Sequence, residues 1–404
     1  MKDPLDDSPP VETRKAITGG IVVVLGIAAL VALRPSAWFT IFLILGLILT
    51  IMLHEFGHFI MAKRSGMKVT EFFVGFGPRL WSFRKGETEY GIKAIPAGGY
   101  VRIIGMSNLE ETDPADESRL YRTASTANKL KTILAGVTVN VIIAFLLFYV
   151  VIVGAGEATT PSTTLERVQS GSPAAAAGLK TGDKIVAVDG APIKSWDALG
   201  KSVRPNAGKE LTVTALRDGQ QIEVSVTPEK IAGEGKLGVL STIGRTRYSV
   251  FEGVPKSFDV MYRTTSATIG GIAKTFSASG VQKYGKTVAN PDSKGSFTSL
   301  ERPRSIIGIV ADGGSLVGNT FWGMLVLLAT INIFLALFNL IPLLPFDGGH
   351  AAVAIYESIA SKVKGTVVRV DYRKLMPVSA AVLVLVLALG ISAMYLDIRQ
   401  IVTG

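Results

Sequence analysis

The chain has 404 residues, of which 48% are hydrophobic and 18% charged, and its mean hydropathy is +0.40. These values exclude an ordinary soluble enzyme and indicate a membrane protein with room for two or three domains. A net charge of +10 would suit nucleic acid, but the basic residues cluster beside apolar segments, so we expect no nucleic-acid partner. The chain contains no cysteine, which excludes disulfide bonds and thiolate metal ligands.

Five apolar segments predict helices that span a lipid bilayer, because about 20 apolar residues are needed to cross it and lipid satisfies no backbone polar group. A disordered cytoplasmic N-terminus, residues 1–15, is expected to precede them. The predicted spans are residues 16–34, 36–62, 130–154, 319–350 (a helix with a broken end) and 376–397. A cleaved signal peptide is the alternative for the first segment, although no small-x-small cleavage site follows it.

Lysines and arginines mark alternate flanks of these segments. They cluster before residue 16, between residues 63 and 131, and between residues 362 and 374, whereas the opposite flanks carry only scattered arginines. Basic residues accumulate on the cytoplasmic side, so we expect a cytoplasmic N-terminus and an extracytoplasmic position for residues 154–320. The pattern predicts a polytopic α-helical protein of the plasma membrane.

Two passages between the spans have a different composition. Residues 66–106 are rich in β-branched and aromatic residues broken by glycine-rich turns, which predicts a cytoplasmic, membrane-associated β-rich loop. Residues 250–316 contain apolar positions near helical spacing, which favours a helix at the extracytoplasmic membrane interface.

Residues 162–242 show alternating strand and short helix signals, which predict an inserted α+β domain outside the membrane. The stretch from Gly171 to Leu179, the Gly182–Asp183 pair and the turn at Val188 to Gly190 closely resemble a PDZ domain. PDZ domains capture chain ends or add a peptide strand to a sheet edge, so a peptide is the expected class of ligand. A spacer without a ligand is the alternative, since a fold alone does not establish binding.

The stretch HEFGH lies inside the second apolar segment, where a charged side chain costs on the order of 2.5 kcal/mol or more. His54 and His58 leave one face of a helix one turn apart, which is the spacing of helical zinc sites, and Glu55 beside them can act as a base toward water. Since His54 precedes Lys63 by nine residues, it lies about 13 Å inside the cytoplasmic boundary. A chance match is the alternative, but this position in the membrane makes it unattractive.

A third ligand is needed, because catalytic zinc sites usually have three protein ligands and water. In the stretch NLIPLLPFDGGH, Pro342 and Pro345 interrupt an apolar helix and the glycines after Asp347 permit a turn back toward the metal. Asp347 is therefore the preferred third ligand. A helix cap at the membrane surface is its alternative role, and His350 is a lower-ranked rival ligand.

The pairing of HEFGH with the pattern Asn-x-x-Pro-x-x-Pro-x-Asp-Gly, residues 339–348, resembles the site-2 proteases, which are zinc intramembrane metalloproteases. The stretches VGFGP (74–78) and IPAGGYVRIIGM (95–106) support the likeness, which extends over nearly the whole chain from about residue 37. The arrangement is most similar to bacterial, particularly actinobacterial, regulated intramembrane proteases with one PDZ domain. The chain departs from the family in its extra first span and in Val137, where relatives often have proline.

The resemblance implies a zinc endopeptidase with one Zn²⁺ per chain, which cleaves single-pass transmembrane substrates within the lipid bilayer. Such a substrate is typically a membrane-tethered regulator, for example an anti-sigma factor already trimmed outside the membrane. The substrate helix must unwind, and the backbone around Gly75, Phe76 and Gly77 can pair with it by strand addition. Asn339 is expected to donate its amide to the substrate backbone or to the developing oxyanion, whereas Asn140 is expected to form an interhelical hydrogen bond.

Two other readings of the chain stay open. A catalytically inactive membrane scaffold could recruit partners through the PDZ domain, and a secreted-type zinc protease could be tethered by a helix, although the latter would not place its histidines inside a span. For the PDZ domain itself, the resemblance implies a sieve that excludes substrates still carrying bulky outer domains.

Overall fold

The computed structural model describes residues 37–106, 110–158, 161–231, 234–242, 244–291, 297, 303–305, 308–309 and 320–403. The predicted N-terminus (1–15), the first predicted span (16–34) and most of residues 292–316 lie outside the described residues. The chain divides into two compact units, one formed by residues 1–151 with 254–404 and the other by residues 152–253.

The helices and strands follow one another in the order expected for a membrane protein with two inserted β-rich passages. The helices are α1 Ala37–Arg64, α2 Thr126–Gly154, α3 Pro173–Ala176, α4 Trp196–Val203, α5 Val250–Phe276, α6 Ala278–Ala289, α7 Phe321–Asn339, α8 Asp347–Lys364 and α9 Tyr372–Thr403. The strands are β1 Val69–Lys85, β2 Thr88–Ile103, β3 Glu157–Ala158, β4 Leu165–Val168, β5 Lys184–Val188, β6 Ala191–Pro192, β7 Leu211–Arg217, β8 Gln220–Val226, β9 Glu229–Ile231, β10 Glu234–Lys236, β11 Val239–Ser241 and β12 Arg245–Thr246.

Four helices of the described chain, α1, α2, α7 and α9, are long and apolar enough to cross a membrane. They correspond to four of the five predicted spans, with ends that differ by a few residues. Basic residues Lys63 and Arg64 occupy the last turn of α1. The prediction of a polytopic helical membrane protein is therefore confirmed for this part of the chain.

The predicted break after α7 is present. Helix α7 ends at Asn339, and α8 begins at Asp347 after a turn that contains both prolines. The turn packs tightly on the start of α8, since a Cβ atom added at Gly348 would lie 2.4 Å from the carbonyl oxygen of Leu340. Only glycine fits there, and this close packing fixes the position at which Asp347 enters the membrane unit.

The passage between α1 and α2 forms the predicted β-rich region. Strands β1 and β2 are long and fold back on themselves, so that Phe72 is in register with both Val101 and Tyr90. One face of this sheet packs on the ends of the neighbouring helices. The buried residues of that core are Ala62, Met67, Val69, Ile103, Tyr121, Ile133 and Ala351.

Helix α5 contacts the membrane-spanning helices through its apolar side. The ring centroids of Phe145 on α2 and Phe258 on α5 are 4.5 Å apart. Val260 and Met261 pack against a buried cluster shared by α2 and α7. The predicted helix in residues 250–316 thus exists as α5, and its position at the membrane interface stays a prediction.

The unit of residues 152–253 contains the predicted α+β domain. A four-stranded sheet has the order β6–β5–β7–β8, and β11 pairs with β4 at the start of the domain. This pairing brings the two ends together, because the backbone N–H of Ser162 donates to the carbonyl of Thr242 at 3.1 Å. The apolar core lies between the sheet and helix α4, which buries Leu199 and Val203.

Candidate metal centre

Helix α1 presents two buried histidines from one face. His54 and His58 are 7% and 5% exposed, and the four-residue spacing stacks them one turn apart. The Nδ1–H group of His58 donates to the carbonyl oxygen of Thr132 on α2 at 2.8 Å. This hydrogen bond fixes the ring, so that Nε2 presents its lone pair to the interior.

Asp347 reaches the same point from α8. Its Oδ2 atom lies 3.2 Å from Nε2 of His54 and 3.3 Å from Nε2 of His58, and the two Nε2 atoms are 3.2 Å apart. The N-cap position of α8 is occupied by Phe346, so the side chain of Asp347 does not cap the helix as its alternative role required.

The three atoms have the spacing that a zinc ion requires. Bonds of about 2.0–2.1 Å in a tetrahedral site place neighbouring ligand atoms about 3.3 Å apart, which matches all three distances. The Oδ2 atom of Asp347 is buried without a hydrogen-bond partner among the described residues. Converging acceptor atoms need a cation between them, and two imidazoles with one carboxylate form a donor set that zinc accepts.

Gly136 on α2 keeps the space for that cation open. A Cβ atom at this position would lie 2.4 Å from Nε2 of His58 and 2.7 Å from Nε2 of His54. A second glycine, Gly57, brings α1 close to α2, since its added Cβ atom would be 2.8 Å from the carbonyl oxygen of Ala135. The role of Gly136 was not predicted from the sequence. The only sequence signal for it was its position one helical turn before Asn140 in an apolar helix.

A cavity of about 280 Å³ adjoins two of the three candidate ligands. Glu55, Asn140 and Asn339 line it together with His54 and Asp347. The Nδ2 atom of Asn339 lies 3.4 Å from Nε2 of His54, so the predicted amide donor is beside the predicted metal ligand. The predicted base, two amides and two of the candidate ligands therefore line one cavity.

His350 is not part of the group of potential metal ligands found in the described chain, which consists of His54, His58 and Asp347. It lies one turn further along α8, and its ring centroid is 6.2 Å from that of Tyr372. This position agrees with the prediction that Asp347 is preferred to His350 as the third metal ligand.

The structure does not bring Gly75, Phe76 and Gly77 to the cavity. A Cβ atom at Gly75 would lie 2.7 Å from the carbonyl oxygen of Ile95, so this backbone is enclosed within the sheet. Gly99 lies close to the predicted base Glu55, because its added Cβ atom would be 3.6 Å from Cγ of that residue. The folding back of β1 and β2 explains the difference, and the Gly98–Gly99 pair was the sequence signal for it.

The profile of Peptidase family M50 matches residues 42–386, well over half of the chain. The chain therefore belongs to peptidase family M50, the site-2 class of metalloproteases. Zinc metalloprotease Rip1 of Mycobacterium tuberculosis is 34% identical over 383 residues, which cover 85% of this chain and 92% of the relative. Rip1 of Mycolicibacterium smegmatis has the same identity and coverage.

A more distant relative is the membrane metalloprotease ARASP of Arabidopsis thaliana chloroplasts, 30% identical over 323 residues, with 76% of this chain and 68% of the relative covered. Among solved structures, the PDZ domain of an SdrC-like protein from Listeria monocytogenes matches 21% of this chain and 93% of its own chain, with 19% identity and a TM-score of 0.19. The family and its curated members establish that the protein is a membrane zinc metalloprotease.

Proposed function

We propose that this protein is an intramembrane endopeptidase that cuts the transmembrane segments of single-pass membrane proteins. The observation that supports this most directly is the position of the ligand set. His54, Glu55 and His58 lie within α1, whose composition suits a bilayer, and Asp347 completes the set from the broken segment after α7. A soluble protease would have no reason to place these residues inside an apolar helix.

The side chains around the cavity have separate roles in peptide hydrolysis: metal binding, proton transfer and hydrogen bonding to the substrate carbonyl. Zinc held by His54, His58 and Asp347, in a ratio of one per chain, supplies a Lewis acid that polarises the scissile carbonyl and lowers the pKa of water. Glu55 accepts the proton of the attacking water and later delivers it to the leaving amine. Asn339 donates its amide hydrogen to the substrate carbonyl as negative charge develops on the oxygen.

An unwound substrate also needs partners for its freed backbone, because lipid provides none. Strand addition to the β-rich region supplies them. Gly75 is buried within the sheet, whereas Phe76 is 45% exposed and an added Cβ atom at Gly98 would lie 3.0 Å from its ring. We therefore keep the backbone around Phe76 and Gly77, on the side of the sheet beside Gly98, as the proposed pairing edge.

The basic flanks favour a bacterial plasma-membrane protein with the active site near the cytoplasmic side and the PDZ-like domain outside. Membrane-tethered regulators such as trimmed anti-sigma factors are the proposed substrates, and the PDZ-like domain is proposed to act as a sieve toward untrimmed ones. An inactive scaffold is the competing function, and the intact ligand set with Glu55 beside it disfavours that alternative.

The test combines zinc analysis of the purified full-length protein with cleavage of a model transmembrane substrate. The wild-type protein should hold one zinc per chain, and His54→Ala, His58→Ala and Asp347→Ala should each lose it. Glu55→Gln should keep the metal and lower the cleavage rate by roughly 10²–10⁴-fold, because only the base is removed.

His350→Ala is the matched control, since it removes a half-buried imidazole near the site that is not one of the three ligands. It should retain zinc. Full zinc content in the Asp347 variant would refute the ligand assignment, and wild-type cleavage by the Glu55 variant would favour a different base.

A further inference from the structure

Asn140 is a buried amide whose role the sequence did not settle. It is only 1% exposed, and it follows Gly136 by one helical turn, so both residues face the metal centre from α2. The expected interhelical hydrogen bond is not formed within the described chain, where Oδ1 of Asn140 is buried without a partner. The side chain instead lines the cavity together with Glu55 and Asn339.

Another buried asparagine shows what a structural role looks like in this protein. Asn332 on α7 donates from Nδ2 to the hydroxyl of Thr50 at 3.2 Å and to the carbonyl of Leu328 at 2.8 Å. It thereby ties α7 to α1, and it does not line the cavity. Oδ1 has no partner in either asparagine among the described residues, so the two differ in their Nδ2 bonds and in their position. Asn140 lines the cavity and makes no comparable bond to a neighbouring helix within the described chain.

An amide that is buried without a partner needs an explanation, because it loses its hydration and gains nothing in return. A ligand that enters the cavity can provide the missing partner. A carboxamide has one carbonyl acceptor and an NH₂ donor, which complement the N–H and C=O groups of an extended peptide. It also carries no charge, so it can remain in a membrane without a counterion.

We propose that Asn140 binds the unwound backbone of the substrate, with Oδ1 accepting a peptide N–H and Nδ2 donating to a peptide carbonyl. This inference rests on the proposed function as an intramembrane protease. Asn140 reaches the cavity from α2 and Asn339 reaches it from α7. The substrate peptide is thus held by amides from two helices, and Asn140 fixes its register relative to the ligand set.

The first experiment replaces Asn140 with leucine, which has the same number and branching of side-chain heavy atoms and no polar atom, in the full-length enzyme. The variant should keep its zinc and its thermal stability, since no bond to the protein is removed. The value of kcat/KM for a model transmembrane substrate should fall by roughly tenfold to a hundredfold, as expected for one or two lost hydrogen bonds. Asn332→Leu is the matched control and should lower the thermal stability instead.

The second experiment identifies the bonded group with substrates in which single peptide N–H groups near the scissile bond are replaced by ester oxygen. The wild-type enzyme should lose kcat/KM at one particular position, and Asn140→Leu should show no further loss at that position. Equal losses in both enzymes at every position would show that Asn140 does not bind the backbone, and so would unchanged kcat/KM in Asn140→Leu.

These outcomes are distinct from failure of the proposed function. If the wild-type protein holds no zinc or never cuts a transmembrane substrate, the protease assignment itself is wrong. If the wild-type protein cleaves the substrate and Asn140→Leu cleaves it equally well, only the role of Asn140 is refuted.

Discussion

The two units of the molecule differ in whether their buried polar side chains have hydrogen-bond partners. In the unit of residues 152–253, the buried carboxylate of Asp183 accepts hydrogen bonds from Arg217 and from the backbone N–H of Lys180. In the membrane unit, Oδ2 of Asp347 and Oδ1 of Asn140 have no hydrogen-bond donor among the described residues. Across the described chain, every buried side-chain nitrogen or oxygen of this kind lies outside residues 152–253.

This difference separates groups kept for stability from groups kept for ligands. A satisfied carboxylate such as Asp183 holds its own domain together and has no capacity left for another partner. An unsatisfied one is most costly in hydrocarbon, where water cannot compensate it, so its retention indicates a ligand. By this criterion we expect the ligand-binding chemistry in the membrane unit.

The largest effect is expected from a single methyl group at the metal centre. Gly136→Ala would place a Cβ atom 2.4 Å from Nε2 of His58, and the neighbouring ring of His54 blocks its retreat. The zinc content should fall close to zero, and cleavage should be lost with it. Metal analysis of the purified variant is the measurement.

The matched control for that substitution is Gly390→Ala in α9, another helix of membrane-spanning composition, where an added Cβ atom meets no heavy atom within 4 Å. It should leave zinc and activity unchanged. If Gly136→Ala retains a full complement of zinc, the glycine is not what keeps the site open.

The sequence predicted the parts of the site that depend on spacing along one element. The helical spacing of His54 and His58 follows from the 3.6-residue period, and the prolines before Asp347 indicate the break that turns it inward. Hydropathy predicted the four described spans for the same reason, since bilayer thickness acts on each helix separately.

The sequence could not predict contacts that depend on how elements pack. Gly136 and Asn140 face the metal centre because α2 crosses α1 closely at Gly57, and no pattern within α2 contains that information. Likewise, residues 66–106 predicted strands, but their pairing depends on how β1 and β2 fold back. The sequence therefore did not indicate that Gly99 lies beside Glu55.

A smaller effect is expected from removing the PDZ-like domain. Residues 162–242 can be replaced by a short glycine-serine linker, because Ser162 and Thr242 are hydrogen-bonded neighbours and a cut at either end leaves no strand without its partner. The deleted protein should keep its zinc, since all three ligands belong to the other unit.

The measurement for the deletion is the cleavage rate of one transmembrane substrate with and without a folded outer domain. The intact enzyme should prefer the trimmed form, and the deleted enzyme should cleave both forms at similar rates if the domain is a sieve. A peptide-binding role predicts slower cleavage of the trimmed form instead. Unchanged discrimination after the deletion would refute the sieve.

The smallest effect is expected at Asp183, and it is confined to the PDZ-like unit. Its side chain is 1% exposed and that of Arg217 is 29% exposed, so water partly compensates a broken pair. Asp183→Asn should lower the free energy of unfolding of this unit by about 1–3 kcal/mol, while zinc content and cleavage of trimmed substrate stay unchanged. Hydrogen exchange of the β5 and β7 amides in the intact protein measures the change locally.

The ion pair of Asp183 with Arg217 also predicts how acid affects the stability of the PDZ-like unit. Hydrogen bonds from Arg217 hold the pKa of Asp183 below its usual range, so its stabilisation is fully present above the ordinary aspartate pKa of about 3.9 and is lost as the pH falls through the lowered value. Asp183→Asn should therefore weaken the acid dependence of exchange in β5 and β7. Asp197→Asn, which removes an exposed pair with Lys201, should leave the stability nearly unchanged because solvent screens the pair. If both variants behave alike, the buried carboxylate does not stabilise the unit, and its contrast with Asp347 has no energetic basis.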